Sequence, residues 1–122
     1  MKKKILIIDD EITLQKALSE ILSQDEFVVL SAIDGENGLK MAKEEMPSAI
    51  LLDIIMPRMD GFKVLEELKK TAKTKKIPVL VLSNLEGDKE AEKMLELGAA
   101  EYLVKANNGL EDIAKKIKEI AR

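Results

Sequence analysis

Five polar residues have the types and positions to do chemistry together: Asp9, Asp10, Asp53, Ser83 and Lys105. Each closes a short apolar run or stands just beyond it. Ile5-Leu6-Ile7-Ile8 leads into Asp9-Asp10-Glu11, and Ala49-Ile50-Leu51-Leu52 into Asp53. Val79-Leu80-Val81-Leu82 leads into Ser83, and Tyr102-Leu103-Val104 into Lys105. Three carboxylates brought close repel one another, so either one keeps its proton or a cation binds. An all-oxygen cluster with few carboxylates suits Mg²⁺, which retains waters and favours phosphate oxygens as co-ligands. A lysine supplies a point charge for a phosphoryl group and a serine hydroxyl a hydrogen bond. A carboxylate nucleophile, a metal, a lysine and a hydroxyl are together the parts for forming an aspartyl phosphate. Singly, each residue has a plainer reading as a helix cap, a strand end or an exposed cation. It is their common placement at strand ends that argues for a site.

The elements that position them follow from periodicity. Short apolar runs bounded by polar residues fit strands buried on both faces, as in a parallel sheet. Between them lie helical patterns. Leu14, Ala17, Leu18, Ile21 and Leu22 share one face of the first helix, and Gly38, Leu39, Ala42 and Met46 one face of the second. Asp34 can cap that second helix, Gly35 and Gly38 let it lie close to the sheet, and Pro47 marks its end. The third starts at Asp60-Gly61 and buries Phe62, Leu65 and Leu68. The lysine-rich segment from Lys69 to Lys76 reads as a solvated helix end and loop, whose cations suit the helix dipole, with a docking patch for an acidic partner as the alternative. Asp88 can cap the fourth helix, which turns Ala91, Met94 and Leu95 inward and ends at Gly98. Asn108 with Glu111 resembles a capping box for the fifth, which buries Leu110, Ile113, Ala114, Ile117 and Ile120.

Strand starts near residues 5, 27, 49, 79 and 101 give a βα unit repeated five times. That alternation predicts an α/β fold, a doubly wound five-stranded parallel sheet with helices on both faces. The first, third and fourth strands are the most uniformly apolar and belong at the centre, which supports the flavodoxin-like order 2-1-3-4-5. In that order the topology reverses between the first and third strands. Asp9, Asp10 and Asp53 then meet at the switch point, where open α/β sheets bind ligands.

Composition removes other chemistries. The 122 residues suit one domain, residues 1–122, and 46% apolar content suits a globular one. Histidine and cysteine are both absent. That excludes Ser-His-Asp and Cys-His catalysis, imidazole or thiolate zinc sites, and disulfides. There is no GxxxxGK[ST] phosphate loop and no GxGxxG fingerprint. No apolar run approaches a membrane span, and no stretch reads as a secretory signal. A cytoplasmic protein that does not sit in a membrane is expected. The net charge of −3 argues against direct nucleic-acid binding.

The whole chain, from Lys4 to Ile120, resembles the receiver domain of two-component response regulators. The matching residues are Ile8-Asp9-Asp10-Glu11, Asp53 with Met56-Pro57, Asp60-Gly61, Ser83, and Tyr102 three residues before Lys105. The resemblance implies a phosphoacceptor role for Asp53 and Mg²⁺ held by Asp9, Asp10, Asp53 and the Ile55 backbone carbonyl. It also implies phosphoryl contacts from Ser83 and Lys105, and an aromatic switch at Tyr102. The phosphodonor would be a histidine kinase or phosphotransfer protein, and an unidentified downstream protein would read the face formed by helix four, strand five and helix five. Such a chain is no enzyme beyond Mg²⁺-dependent self-phosphorylation and slow self-dephosphorylation. Ile55 and Leu85 would border the path of the hydrolytic water, and neither can hydrogen-bond it. A stand-alone chemotaxis-regulator-like receiver, with no output domain, is the expectation.

One departure from the family is Ala106, where a proline in a cis bond is usual. A non-proline cis bond costs about 3–4 kcal/mol, so a trans bond is expected unless the loop enforces cis. Few aromatics and abundant lysine and glutamate fit a heat-loving source or an engineered sequence. An inert scaffold of the same fold is therefore one rival reading. The other is an aspartate-nucleophile phosphatase, disfavoured because Ile55 stands where a second acid is usual.

Overall fold

A computed structural model describes residues 3–25, 27–54, 60–83 and 88–121. Five parallel strands, β1 (Lys4–Ile8), β2 (Val28–Ala32), β3 (Ala49–Asp53), β4 (Val79–Ser83) and β5 (Glu101–Val104), form one sheet in the order β2-β1-β3-β4-β5. The helices are α1 (Ile12–Gln24), α2 (Gly35–Glu45), α3 (Gly61–Lys70), α4 (Asp88–Glu96) and α5 (Leu110–Ala121), with a 3-10 turn over Lys105–Asn107. The expected α/β architecture and strand order are therefore observed.

The sheet divides the core in two. Leu6, Ile8, Ile50, Leu52, Val79 and Val81 face α2, α3 and α4, which answer with residues such as Leu39, Leu65 and Met94. Their alternate neighbours Ile5, Ile7, Leu51, Leu80 and Leu82 face α1 and α5, which contribute Leu18, Leu22, Ile113 and Ile117. Successive strand residues point to opposite faces, so a strand covered on both must be apolar at every position. That is why β1, β3 and β4 read as unbroken runs. Fully burying each such side chain contributes roughly 1.5–3 kcal/mol.

Local chemistry sets the helix ends. The Asp34 side chain accepts a hydrogen bond from the Asn37 N–H at 2.9 Å and caps α2. Asp60 does the same for α3, accepting from the Lys63 N–H at 3.0 Å. A Cβ on Gly38 would lie 2.6–2.8 Å from three side-chain carbons of Ile8, so α2 approaches β1 as the glycine predicts. Gly98, at φ 109°, ends α4 in the left-handed conformation.

Several side chains sit elsewhere than periodicity predicts. Met46 is exposed, because it leaves α2 as a left-handed cap just before Pro47. Leu95 and Leu110 are exposed as well, and Phe62 is only half-buried, with the Lys93 ammonium 4.5 Å above its ring. Among the described residues Asn108 forms no capping box. Its Nδ2 donates 2.9 Å back to the Val104 carbonyl, and α5 starts at Leu110. Asp88 is the first residue of α4, and its capping role falls outside the described side chains. The lysine-rich segment is not wholly solvated either. Lys69 Nζ donates to the Lys75 and Ile77 carbonyls at 3.1 and 2.9 Å, and fully buried Thr74 donates through Oγ1 to the Leu68 carbonyl at 2.7 Å. Burial lowers the Lys69 pKa.

Candidate functional site

Asp9 follows β1 directly and is 1% exposed. Its N–H donates to the Ala32 carbonyl at 3.0 Å, which continues the β1–β2 ladder past the end of β1. Its Oδ1 accepts from the Glu11 N–H at 2.9 Å, which turns the chain toward α1. Asp10, next in sequence, is exposed. Asp53 is the last residue of β3, 6% exposed and in register with Leu82 of β4. One residue further along β4 is Ser83, fully buried and opposite Val104 of β5. Lys105 opens the 3-10 turn just after β5.

The end of β3 is held by Gly61, whose N–H donates to the Ile54 carbonyl. A Cβ there would lie 2.4 Å from Ile54 Cα and 2.5 Å from the Asp53 carbonyl oxygen, so only glycine lets α3 begin this close to the strand.

These placements bring the acids together. Asp9, Asp10 and Asp53 each offer a carboxylate oxygen, and the three oxygens lie within 4.8 Å of one another. Lys105 Nζ reaches across the strand ends to Asp53 Oδ2 at 3.4 Å, Asp9 Oδ2 at 3.3 Å and Glu11 Oε1 at 3.6 Å. The contact with Asp53 has hydrogen-bond geometry. Asp9 Oδ2 has no hydrogen-bond partner among the described residues, so its contact with the ammonium is one of charge. Burial raises the Asp9 pKa, against the Glu11 N–H and the Lys105 charge, which lower it. Burial also pulls the Lys105 pKa down, but the Asp53 and Asp9 charges more than reverse this and the net shift is upward. A buried carboxylate oxygen that has no hydrogen bond among the described residues, beside two more carboxylates, is an oxygen-only donor set that fits a hard divalent cation.

Asp9, Asp10, Asp53 and Lys105 are thus assembled as their positions at strand ends predict, with Ser83 on the adjoining strand. Tyr102 is half-buried on β5, opposite Val81, and packs against the core on the α4 side of the sheet. Ile55, Leu85 and the Met56-Pro57 pair lie outside the described residues. The Lys105–Ala106 bond is trans, no cis peptide being present among the described residues. Two residues near the site are additions to those expected. Glu11 supplies a further carboxylate to Lys105. Gln15 is 4% exposed and donates to the carbonyls of Asp9 and Ala32. Its signal in the sequence is positional, for Gln15 precedes Leu18 and Leu22 at core spacing on α1.

A 2-1-3-4-5 parallel sheet with an acid cluster at the β1/β3 reversal defines a doubly wound, flavodoxin-like protein with its site at the strands' carboxyl ends. The chain belongs to the response regulator receiver domain family, whose model matches residues 5–118. It is a receiver domain of a two-component response regulator. A probable transcriptional regulator, ycf27 of Guillardia theta, is 39% identical over 104 residues, which cover 85% of this chain and 40% of that protein. The chain therefore spans about two fifths of that relative's length. Among solved structures, the Vibrio cholerae chemotaxis protein CheY4 has a TM-score of 0.89 and 26% identity, covering 98% of this chain and 99% of that one. The Mn²⁺-bound form of response regulator Rcp1 has a TM-score of 0.79 and 29% identity, covering 97% of this chain and 91% of that one. No described helix is long and apolar enough to cross a membrane.

Proposed function

We propose that this receiver is a phosphorylation-controlled binding switch in which Asp53 accepts a phosphoryl group. The observation that carries this reading is Lys105 Nζ at 3.4 Å from Asp53 Oδ2, inside a cluster of three aspartates. Asp9, Asp10 and Asp53 would hold Mg²⁺, with the Ile55 carbonyl as a further ligand. When bound, the ion supplies positive charge against the phosphoryl oxygens. Divalent metal in the Rcp1 structure supports this assignment.

The chain's own groups divide the remaining work. An Asp53 carboxylate oxygen forms the bond to phosphorus as the donor's bond to phosphorus breaks, and the electron pair of that bond leaves with the donor. With a histidine kinase or phosphotransfer protein as donor, the leaving group is an imidazole. This chain has no histidine and cannot be its own donor. Lys105 holds phosphoryl oxygens by charge and Ser83 holds one by a hydrogen bond. Drawing Ser83 and Lys105 inward gives Tyr102 room to turn behind them, and the α4-β5-α5 face changes its affinity for a downstream protein. This is a two-state element biased by a local charge. Ile55 and Leu85 cannot orient a hydrolytic water, so the phosphorylated form decays slowly.

The test is labelling by a small-molecule phosphodonor. Wild type takes up one phosphoryl group only with Mg²⁺, and Asp53→Asn takes up none because the nucleophile has lost its charge. Label retained at full level in that variant, or wild-type label lost within seconds of donor removal, contradicts the assignment of Asp53 or of slow decay respectively.

A further inference from the structure

Glutamine is seldom buried, yet Gln15 is 4% exposed in the first turn of α1. Its Nε2 donates two hydrogen bonds of 2.8 Å, one to the Asp9 carbonyl and one to the Ala32 carbonyl. Both partners can only accept, so the amide's orientation is fixed. The Ala32 carbonyl also accepts from the Asp9 N–H at 3.0 Å. Asp9 is therefore pinned on both sides, its N–H by the neighbouring strand and its carbonyl by Gln15.

That carbonyl belongs to the peptide plane joining Asp9 to Asp10. Fixing the plane fixes the direction in which Asp10 leaves the backbone. Asp9 has a second restraint, because its Oδ1 accepts from the Glu11 N–H at 2.9 Å. The Asp10 carboxylate has no hydrogen bond or ion pair of its own among the described residues. Among the described residues, its place beside Asp9 and Asp53 is set by the backbone. The backbone there is held by Gln15.

We infer that Gln15 is a positioning residue of the cation site: its amide locks the Asp9–Asp10 peptide plane and so presents Asp10 to the metal. This rests on the Mg²⁺ reading above. Groups that orient metal ligands typically change affinity 10- to 100-fold when removed. A purely structural tie between α1, β1 and β2 would instead affect folding and leave the metal affinity alone.

Gln15→Met keeps the length and removes both donors. Among the described residues the Gln15 Oε1 has no hydrogen-bond partner, so no acceptor contact seen there is lost with it. Titration calorimetry with Mg²⁺ compares wild type, Gln15→Met and Asp10→Ala. The expected result is at least tenfold weaker Mg²⁺ binding in Gln15→Met, with the wild-type phosphorylation rate regained at saturating Mg²⁺. If wild type binds Mg²⁺, Asp10→Ala binds it less, and Gln15→Met matches wild type within twofold, the inference fails and the site reading stands. A wild type with no Mg²⁺ affinity overturns both.

Should Gln15→Met not fold, the wild type decides by NMR. The Gln15 side-chain amide protons should exchange slowly with water and shift on Mg²⁺ addition with the calorimetric midpoint. Exposed Gln24 is the internal control. A Gln15 amide that exchanges as fast as that of Gln24, or ignores Mg²⁺, overturns the inference.

Discussion

At the scale of single residues, the site trades stability for a charge arrangement a cation can use. Asp9 is buried, faces two other carboxylates, and has its pKa raised by desolvation above an ordinary value of 3.8. Between its unfolded and folded pKa the folded protein binds more protons than the unfolded chain. Stability therefore falls as pH rises through that interval. The contribution of neutral Asp9 is complete below pH 3.8 and is lost as pH passes the folded pKa. Asp9→Asn keeps an acceptor for the Glu11 N–H and removes the ionisation. In chelator at pH 7 it should melt above wild type, each kcal/mol recovered raising Tm by roughly 4 °C in a chain of this size. The advantage should shrink as pH approaches 3.8. Thermal melts over a pH series check this, and a neutral-pH Tm below wild type would mean that the Lys105 attraction outweighs the burial of Asp9.

At the scale of elements, two glycines set how near helices come to the sheet, with different consequences. A Cβ at Gly38 has Ile8 side-chain atoms as its nearest neighbours, and alanine inside α2 gains about 0.8–1 kcal/mol of helix propensity against the overlap. A Cβ at Gly61 meets the backbone of Ile54 and Asp53, which cannot yield without moving the proposed phosphoacceptor itself. Gly61→Ala should thus lower Tm more than Gly38→Ala, and it alone should slow labelling of Asp53. Equal losses in the two variants, with labelling intact, would show that α3 shifts without carrying the end of β3. The contrast between these glycines marks what the sequence makes legible. Strands buried on both faces show as apolar runs, and acids at their ends show as candidate ligands. Helical periodicity gives an angular position but not what lies opposite. Leu95 and Leu110 fall on plausible inward positions and are exposed, because no described element covers them. Gln15 escapes such a reading because its partners are backbone carbonyls, one of them on β2, and backbone carbonyls carry no sequence signal. Lys69 escapes it for the same reason, since a lysine in a lysine run gives no sign of capping the Lys75 and Ile77 carbonyls.

At the scale of the whole molecule, Lys105 ties the carboxyl edge of the sheet together. It departs after β5 and passes the end of β4, reaching Asp53 on β3 and Asp9 beyond β1. The sheet order makes this possible for residues 52 positions apart. The one ammonium answers Asp9, Asp53 and Glu11, while Asp10 adds a further negative charge nearby. If the acids take a divalent cation as proposed, lysine and cation are alternative counter-charges for the same site. Lys105→Met should lower Tm in chelator, because it leaves buried carboxylates uncompensated. With its competitor gone, Mg²⁺ should bind this variant more tightly. The stabilisation at fixed Mg²⁺ grows with the ratio of concentration to Kd, reaching about 2.7 kcal/mol at a hundredfold excess over Kd. A millimolar addition should therefore raise Tm more in Lys105→Met than in wild type. The alkaline side gives an independent check. The folded pKa of Lys105 is raised above 10.5, so its contribution is complete below pH 10.5 and lost as pH rises through the folded value. Wild type should lose more stability over that alkaline interval than Lys105→Met, in which only other raised lysines such as Lys63 still titrate there. Equal Mg²⁺ shifts in the two proteins would mean that Lys105 and the cation do not compete. If they do compete, a cation at the acids would free the ammonium for the phosphoryl oxygens of the proposed phosphorylated form, where the resting tie across the strand ends would become a stabilising contact.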